Sequence, residues 1–457
     1  MTYVDVIVYA KYTGRRYYTY KTGLNLSIGS VVKAPYGKSS YPGIVMNIVK
    51  KPTIDIKDID TIYDFNLPNQ SVELLKWLCS YYPFDYGEIC GLFIPPNLTV
   101  KPRVQKDTPF TSFESKEPFM LNKEQLLAVN AIVNNAHSIL HGDTGTGKTE
   151  TYLEVAKQMI NAGKSVLIIT PEIGLTPQLL ASVTNRLKCP VYITNSQMTP
   201  AKRKQTWIAA YNNTSPSVYI GPRSSIFLPY QNLGLIVADE SHDLSYYNQQ
   251  NPRYNGLFVA SQLAKIHKAH FVQSSATPNI SDYYYCQKLK LPIIRMTKMA
   301  VGDPNVRGEV IDMTDKQNLS PYQQLSNKLL KELDSNLNNN MQSMLFINRR
   351  GTARIIQCQN CGHISQCPTC NLPLTYHHDQ YKNKCHQCGY QESTQTQCSQ
   401  CNSPELSYKT PGTKGTVSDI QKLFPSAKIA RFDLDVQHSQ SLKEQFENIK
   451  DGKFDII

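Results

Sequence analysis

A run of glycine, hydroxyl and lysine residues, HGDTGTGKT, carries the clearest chemistry in this chain of 457 residues. Gly142, Gly147, Lys148 and Thr149 fit the pattern GxxxxGK[ST], directly after the apolar stretch SILH and before the helical stretch ETYLEVAKQMI. A loop that wraps phosphate must bring backbone N–H groups close to its oxygens. A chain free of Cβ curls most readily, and a following helix adds the positive end of its dipole. Asp143, Thr144, Gly145 and Thr146 complete the loop. Lys148 is placed for the outer phosphates of ATP and Thr149 for Mg²⁺. About ninety residues on, LGLIVADESH sets Asp239 and Glu240 at the end of a buried strand. There Asp239 can hold the metal, while Glu240 positions and deprotonates water for in-line attack on the γ-phosphate. His242, two residues further, can couple this site to Ser275–Pro278 at the end of the next strand.

Cysteine supplies a second chemistry. Of twelve cysteines, eight fall in four CxxC pairs: Cys358/Cys361, Cys367/Cys370, Cys385/Cys388 and Cys398/Cys401. Each pair can present two thiolates from a tight knuckle, and eight thiolates make two tetrahedral Zn²⁺ sites. Spacing does not fix which pairs share a metal, although a nested arrangement would join the first with the fourth and the second with the third. Cys79, Cys90, Cys189 and Cys286 read as core thiols. His363, His377, His378 and His386 are alternative ligands that the eight cysteines make unnecessary.

Loops of this kind are held at strand ends, and from Leu121 the sequence supplies the strands: SILHG, VLIITP, VYIG, LGLIVAD and HFVQSSATP, alternating with helical stretches. That alternation predicts an α/β fold with a parallel sheet wrapped by crossover helices, over 119–300. A second α/β stretch occupies 301–355, with SMLFINRRG as a strand, and is interrupted by the cysteine-rich insert at 356–402. It resumes over 403–457 with AKIARFDLD and ends at KFDII, which reads as another buried strand. Ahead of these units, residues 1–62 read as short strands of Val, Ile and Tyr punctuated by Gly and Pro, a small antiparallel barrel or sandwich. A helix over Ser71–Tyr82 and a linker with Pro95, Pro96, Pro102, Pro109 and Pro118 fill 63–118.

Charge adds a partner. Lys and Arg number 48 against 36 Asp and Glu, a net +12, which favours a polyanion. Residues 1–51 hold eight bases, among them Arg15, Arg16 and Lys38, and one acid, Asp5. Eight tyrosines, including Tyr17 and Tyr18, are interleaved with them, so the segment can grip phosphates and stack unpaired bases. The insert carries no such excess, since Lys382 and Lys384 are balanced by Asp379 and Glu392. No apolar run approaches the 18 or so residues of a membrane span, and the start MTYVDVIVYAKY lacks an export signal, so the expected location is the cytoplasm.

The order of phosphate loop, DESH and SATP resembles superfamily 2 helicases, and Gln125 in LNKEQLLAV then matches their adenine-contacting glutamine. With TPEIGLTPQLL at 170–180, GPRSSIFLP at 221–229 and LFINRRG at 345–351 leading into a double-zinc insert, the chain is similar to the PriA family of primosomal replication-restart helicases over essentially its whole length. The resemblance implies two RecA-like lobes, the second incomplete, with an N-terminal domain that binds DNA 3′ ends and a nested double-zinc insert. It implies ATP-driven 3′→5′ unwinding at stalled forks and, as partners, forked and single-stranded DNA, single-stranded DNA-binding protein, primosome proteins and the loader of the replicative helicase, in a bacterial cytoplasm. It further implies DNA contacts from Arg223 and from an aromatic-rich loop at 245–254, with Arg253 and Tyr254 foremost.

Four features depart from the family pattern. Arg16, Tyr17 and Tyr18 stand where an aromatic-Asp-Tyr segment is expected, no room is left for a winged-helix domain before the phosphate loop, and Leu257 and Phe258 replace an Arg-Asp pair. The chain also ends ahead of the family's GTQ-containing and arginine-bearing final motifs. A missing arginine finger costs on the order of 10³–10⁵ in rate, so the expectation is a chain that binds ATP and hydrolyses it poorly. The alternative is a non-catalytic platform for fork binding and primosome assembly.

Overall fold

The computed structural model describes residues 1–95, 98, 120–171, 177–195, 198–300, 308–322, 325–347, 356–377, 381–385, 387–407, 413–432 and 448–457. Parts of TPEIGLTPQLL and LFINRRG, and His378 and His386, lie outside them. The chain forms two units, Met1–Asn305 and Val306–Ile457.

The first unit opens with an antiparallel sheet of β1 (Thr2–Val8), β2 (Tyr18–Thr22), β3 (Ser30–Tyr36), β4 (Ser39–Val49) and β5 (Thr61–Asn66), in the order β2-β1-β4-β3-β5. Alternation along β1 and β3 sorts two sets of side chains. Val4, Val6, Val8 and Val32 form one core with Tyr20 and Val45, while Ile7 and Val31 turn to the other face with Ile44 and Met46. That second face receives helix α1 (Asn69–Tyr81), through Leu74, Leu75 and Leu78, and the short α2 (Tyr86–Cys90).

The expected helix starts two residues earlier than Ser71, after Pro68, and the expected linker is folded as far as 95. Phe93 packs on Phe227 with ring centroids 5.3 Å apart, its carbonyl accepts from Trp207 Nε1 at 2.9 Å, and Phe65 meets the Trp207 ring edge-on. The β-rich portion and the α/β lobe therefore share one hydrophobic core, a join that Pro content along the chain does not reveal.

The lobe is a seven-stranded parallel sheet. Its strands are β6 (His137–Gly142), β7 (Ser165–Ile169), β8 (Val191–Ile193), β9 (Val218–Gly221), β10 (Leu233–Ala238), β13 (His270–Ser275) and β14 (Ile293–Met296). The order is β14-β6-β13-β10-β7-β9-β8, with β7 and β10 buried at every residue. A hairpin of β11 (Tyr247–Asn248) and β12 (Tyr254–Asn255) stands beyond β10. Helices α3 (Lys123–Val133), α4 (Lys148–Asn161), α5 (Pro177–Arg186), α6 (Pro200–Asn212), α7 (Gly256–His267) and α8 (Ile280–Lys288) make the connections. The short edge strands β8 and β14 escape a sequence reading because neither is a long apolar run.

In the second unit, helices α9 (Asn327–Asn338) and α10 (Thr413–Leu423) pack around Leu333, Ile420 and Ile456. Where SMLFINRRG, AKIARFDLD and KFDII are expected as strands, the described residues form isolated parallel bridges, Ser343 to Ile456 and Ile429 to Ile456. Ile456 is buried between the two neighbours. Two small antiparallel sheets, β15 (Gln357–Cys358) with β19 (Leu406–Ser407) and β16 (Thr375–His377) through β17 (Lys382–Lys384) to β18 (Gln391–Ser393), carry the cysteines. Among the described residues no helix is long and apolar enough to cross a membrane.

Candidate functional site

The phosphate loop joins β6 to α4 at the end of the sheet where strands finish. Gly145 (φ +86°) and Gly147 (φ +80°) take left-handed backbone that a side chain would oppose, which is why the turn is glycine-rich. Thr146 is buried and its Oγ1 donates to the Asp143 carbonyl at 2.8 Å, bracing the loop from within. Lys148 Nζ donates to the Gly142 carbonyl at 2.8 Å and reaches the Asp143 carbonyl at 3.4 Å, so its ammonium lies over the loop's own mouth. Asp143 is paired with Arg295 of β14 at 3.1 Å.

Gln125, expected to contact adenine, also has structural bonds of its own. Its Oε1 accepts from Asn122 N at 2.8 Å while its backbone N–H donates to Asn122 Oδ1 at 2.9 Å, a reciprocal cap on α3. Its Nε2 donates to the Thr146 carbonyl at 3.1 Å, and the residue is buried. In this arrangement one end of the amide caps α3 and the other ties it to the phosphate loop.

Opposite the loop, Asp239 leaves β10 with its N donating to the Ile169 carbonyl at 2.8 Å. Burial raises the Asp239 carboxyl above its ordinary value and the neighbouring Glu240 adds to the rise, while the Tyr152 hydroxyl, donating to Oδ2 at 3.1 Å, works against it. Glu240 is exposed and held at φ +46°, a left-handed conformation uncommon for a residue with a side chain. His242 Nδ1 lies 2.8 Å from Ser275 Oγ and 3.5 Å from Glu240 Oε2. Ser275 Oγ in turn accepts from Thr277 N at 3.0 Å, so DESH and SATP meet through one imidazole.

Two tyrosines, Tyr152 and Tyr246 of the aromatic-rich loop, neither of them singled out by the sequence, complete this region. Tyr152, one helical turn after Lys148, is fully buried with its hydroxyl on Asp239. Tyr246 places its hydroxyl between the carbonyls of Asp239 and Ile169, the latter at 2.8 Å. A tyrosine on a buried face needs a partner for its O–H, which is the sequence signal that could have marked both.

Tyr246 leads straight into the β11–β12 hairpin, and Arg223 grips that hairpin from the segment after β9. Its guanidinium donates to the Ser245 carbonyl and to Asn248 Oδ1 at 3.0 Å. Tyr254, expected among DNA contacts, is instead buried edge-on against Phe227 at 5.3 Å, because its place in β12 turns it inward. Arg253, the preceding residue, faces outward and lines a cavity of about 1290 Å³ with Tyr81, Tyr247, Phe258 and Lys265.

On the β-rich portion, Arg16 Nε donates to the Tyr18 hydroxyl at 3.0 Å and the guanidinium sits over that ring. Tyr18 meets Tyr36 edge-on, and Tyr36 meets Tyr41 in the same way. Tyr17 packs against Tyr86, and Lys38 is exposed at the turn between β3 and β4. Arg15 spends one nitrogen on the Cys79 carbonyl at 2.8 Å, at the end of α1.

The eight cysteines gather as Cys358, Cys361, Cys398 and Cys401, and as Cys367, Cys370, Cys385 and Cys388, with the sulfurs of each set within 4.8 Å of one another. Each pair lies in the same knuckle. Gly362, Asn371, Gly389 and Asn402 follow the second cysteine with φ of +74°, +57°, +78° and +57°. Each returns a hydrogen bond from its N to the carbonyl of the first cysteine, at 3.0, 2.9, 3.1 and 2.9 Å. Four thiols at these separations fit the donor set and size of a tetrahedral Zn²⁺ site.

Comparison with known proteins matches three family models to these parts: the 3′DNA-binding domain (3′BD) over residues 5–95, the DEAD/DEAH box helicase over 122–284, and the PriA DNA helicase Cys-rich region (CRR) domain over 367–392. The replication restart protein PriA of Rickettsia conorii is 34% identical over 443 residues, 93% of this chain and 67% of that one. That of Rickettsia felis is 34% identical over 447 residues, 95% and 68% of the two chains. That of Bacillus subtilis is 30% identical over 391 residues, covering 81% of this chain and 48% of the other. The chain thus spans about two thirds of the rickettsial relatives' length and about half of the bacillar one's. With a 3′DNA-binding domain, a helicase lobe and a cysteine-rich domain matched in this order, and relatives 34% identical of which it covers two thirds, the chain belongs to the family of the replication restart protein PriA.

Proposed function

We propose that the chain is the motor and fork-reading part of an ATP-dependent 3′→5′ DNA helicase that acts at stalled or abandoned replication forks in the bacterial cytoplasm. The observation that carries this reading is the convergence of Lys148, Asp239, Glu240 and His242 at one end of a parallel sheet, with His242 bonded to Ser275 of the neighbouring strand end. Lys148 and the loop from Gly142 to Thr149 bind the phosphates of ATP; Thr149 and Asp239 hold Mg²⁺. Glu240, exposed and next to Asp239, positions and deprotonates water for attack on the γ-phosphate. When bound, the metal neutralises charge that develops on the phosphates. His242 relays the state of the nucleotide site to the SATP segment.

Arg16, Tyr17, Tyr18 and Lys38 form the DNA end contacts, with Arg15 supporting them through α1, and Arg253 adds a contact from the hairpin. Arg223 acts by holding the hairpin, and Tyr254 by packing beneath it. The two cysteine sets bind Zn²⁺ as structural sites, and the primosome proteins, helicase loader and single-stranded DNA-binding protein are the partners. The test is ATP turnover by the purified chain with and without forked DNA, alongside unwinding of forks carrying a 3′ or a 5′ single-stranded arm. DNA-stimulated turnover, even if slow, that Lys148→Ala abolishes with fork binding intact supports the reading. Fork binding with no turnover in either protein rejects it in favour of an assembly platform.

A further inference from the structure

A strap of backbone that no motif contains lies against the phosphate loop. After β14 ends at Met296, the chain runs past the loop and is tied to it and to α3 by four hydrogen bonds. The Ala300 N–H donates to the Gly145 carbonyl at 2.9 Å. The Glu124 carboxylate accepts from the N–H of Thr297 at 3.0 Å, from the N–H of Lys298 at 2.8 Å and from Thr297 Oγ1 at 3.2 Å. Between these ties the Met299 methyl and sulfur lie against Gly145, so close that a Cβ at Gly145 would meet the methyl carbon at 2.7 Å. Ala300 Cβ would be 3.2 Å from a Cβ at Gly147.

The contacts fall on the two glycines whose positive φ gives the loop its phosphate-wrapping curl. The strap takes the carbonyl of Gly145, an acceptor that a phosphate oxygen cannot use. It therefore braces the curl from outside without consuming the donors that phosphate needs. Glu124 is adjacent to Gln125, which ties α3 to Thr146 at the inner side of the same loop. Helix α3, the strap and the loop form a closed ring of hydrogen bonds through residues 124, 125, 146, 145, 300 and 297.

We infer that residues 297–300, anchored by Glu124, are a positioning element of the nucleotide site that holds the empty phosphate loop in its binding form. The inference rests on the proposal that this loop binds ATP. Strapping should lower the free energy of ordering the loop when nucleotide arrives, so its loss should speed nucleotide departure and leave the bound geometry unchanged. The strap is also the last described stretch of the first unit, which closes at Asn305.

The test uses the full chain and a fluorescent ADP analogue, with dissociation followed after mixing with excess unlabelled ADP. Glu124→Ala removes the acceptor of the Thr297 and Lys298 donors, and Ala300→Pro removes the donor to Gly145 by an independent route. Each should raise the dissociation rate about three- to tenfold, the worth of one or two lost hydrogen bonds, while the thermal midpoint moves little. Glu124→Asp, which keeps the charge, should restore part of the effect. Wild type that binds the analogue and loses it on Lys148→Ala, with both strap variants matching wild type, would overturn the strap and spare the site. Wild type that binds no nucleotide would overturn both.

Discussion

Two tyrosine hydroxyls hold the carboxylate end of the candidate nucleotide site, and neither was singled out by the sequence. Tyr152 bonds the side chain of Asp239, and Tyr246 bonds its main chain. Removing the second hydroxyl leaves the Asp239 carbonyl without that donor inside the core. Tyr246→Phe should therefore lower stability by about 1–2 kcal/mol in denaturant unfolding and reduce the stimulation of ATP turnover by DNA more than the basal rate. Equal loss of basal and stimulated turnover would mean that the hydroxyl only supports the fold. At this scale the sequence was legible where function demands a backbone conformation or a fixed order, as in Gly145, Gly147, Lys148 and the Asp239–Glu240 pair. It was not legible where a side chain's partner comes from a distant strand. Gln125 faces a loop 21 residues away, and Tyr254 faces Phe227, so their roles depended on packing that spacing does not encode.

Elements show the same division. The continuous apolar strands β7 and β10 were recognisable because burial on both faces leaves no polar position. The three-residue β8 is too short to carry such a pattern, whereas SMLFINRRG, AKIARFDLD and KFDII were readable as strands and pair among the described residues as bridges of Ser343 and Ile429 to Ile456. Helix α7 adds a pH-sensitive joint. His267 in its last turn accepts from Leu233 N at 3.4 Å, at the start of β10, and burial lowers its imidazole to about 4. The folded protein thus refuses a proton that the unfolded chain takes up near 6.5. This contribution is fully present above pH 6.5 and lost as pH falls toward 4, up to about 3 kcal/mol. His267→Gln, which keeps an acceptor, should flatten the fall of the unfolding midpoint over that window. Part of the slope should remain, because burial shifts His137 in the same direction. An unchanged slope would show that His267 titrates freely in the folded state.

For the molecule as a whole, the N-terminal charge excess and the lobe cannot be separated by cutting the chain. Residues 1–51 contain four of the five strands of a sheet whose lower face is continuous with the lobe's core, so their deletion would expose Phe65, Phe93 and Trp207. The charges can be removed one by one instead. Replacing Arg16, Lys38, Lys50 and Lys51 with Gln should flatten the dependence of fork affinity on salt by up to about 3–4 units of logarithmic slope, if each base meets a phosphate. Matched replacements at Lys382 and Lys384 in the cysteine-rich insert should leave the slope unchanged. A slope equally affected by both sets would remove the N-terminal sheet as the main electrostatic contact.

The nested pairing of the cysteines has a kinetic side. The inner set closes a loop between Cys370 and Cys385, while the outer must bring Cys361 to Cys398 across everything between them. Once the inner set has gripped a metal, the outer loop is in effect shorter and its closure costs less chain entropy. Metal uptake should then be ordered, from the inside outward. Cys385→Ser should slow or prevent filling of both sites, whereas Cys398→Ser should empty the outer site alone, as read by zinc content per chain and by the time course of release to a chelator. In those terms the insert is a clasp with a built-in sequence of fastening, and its most exposed thiol, Cys388, belongs to the first fastener to close.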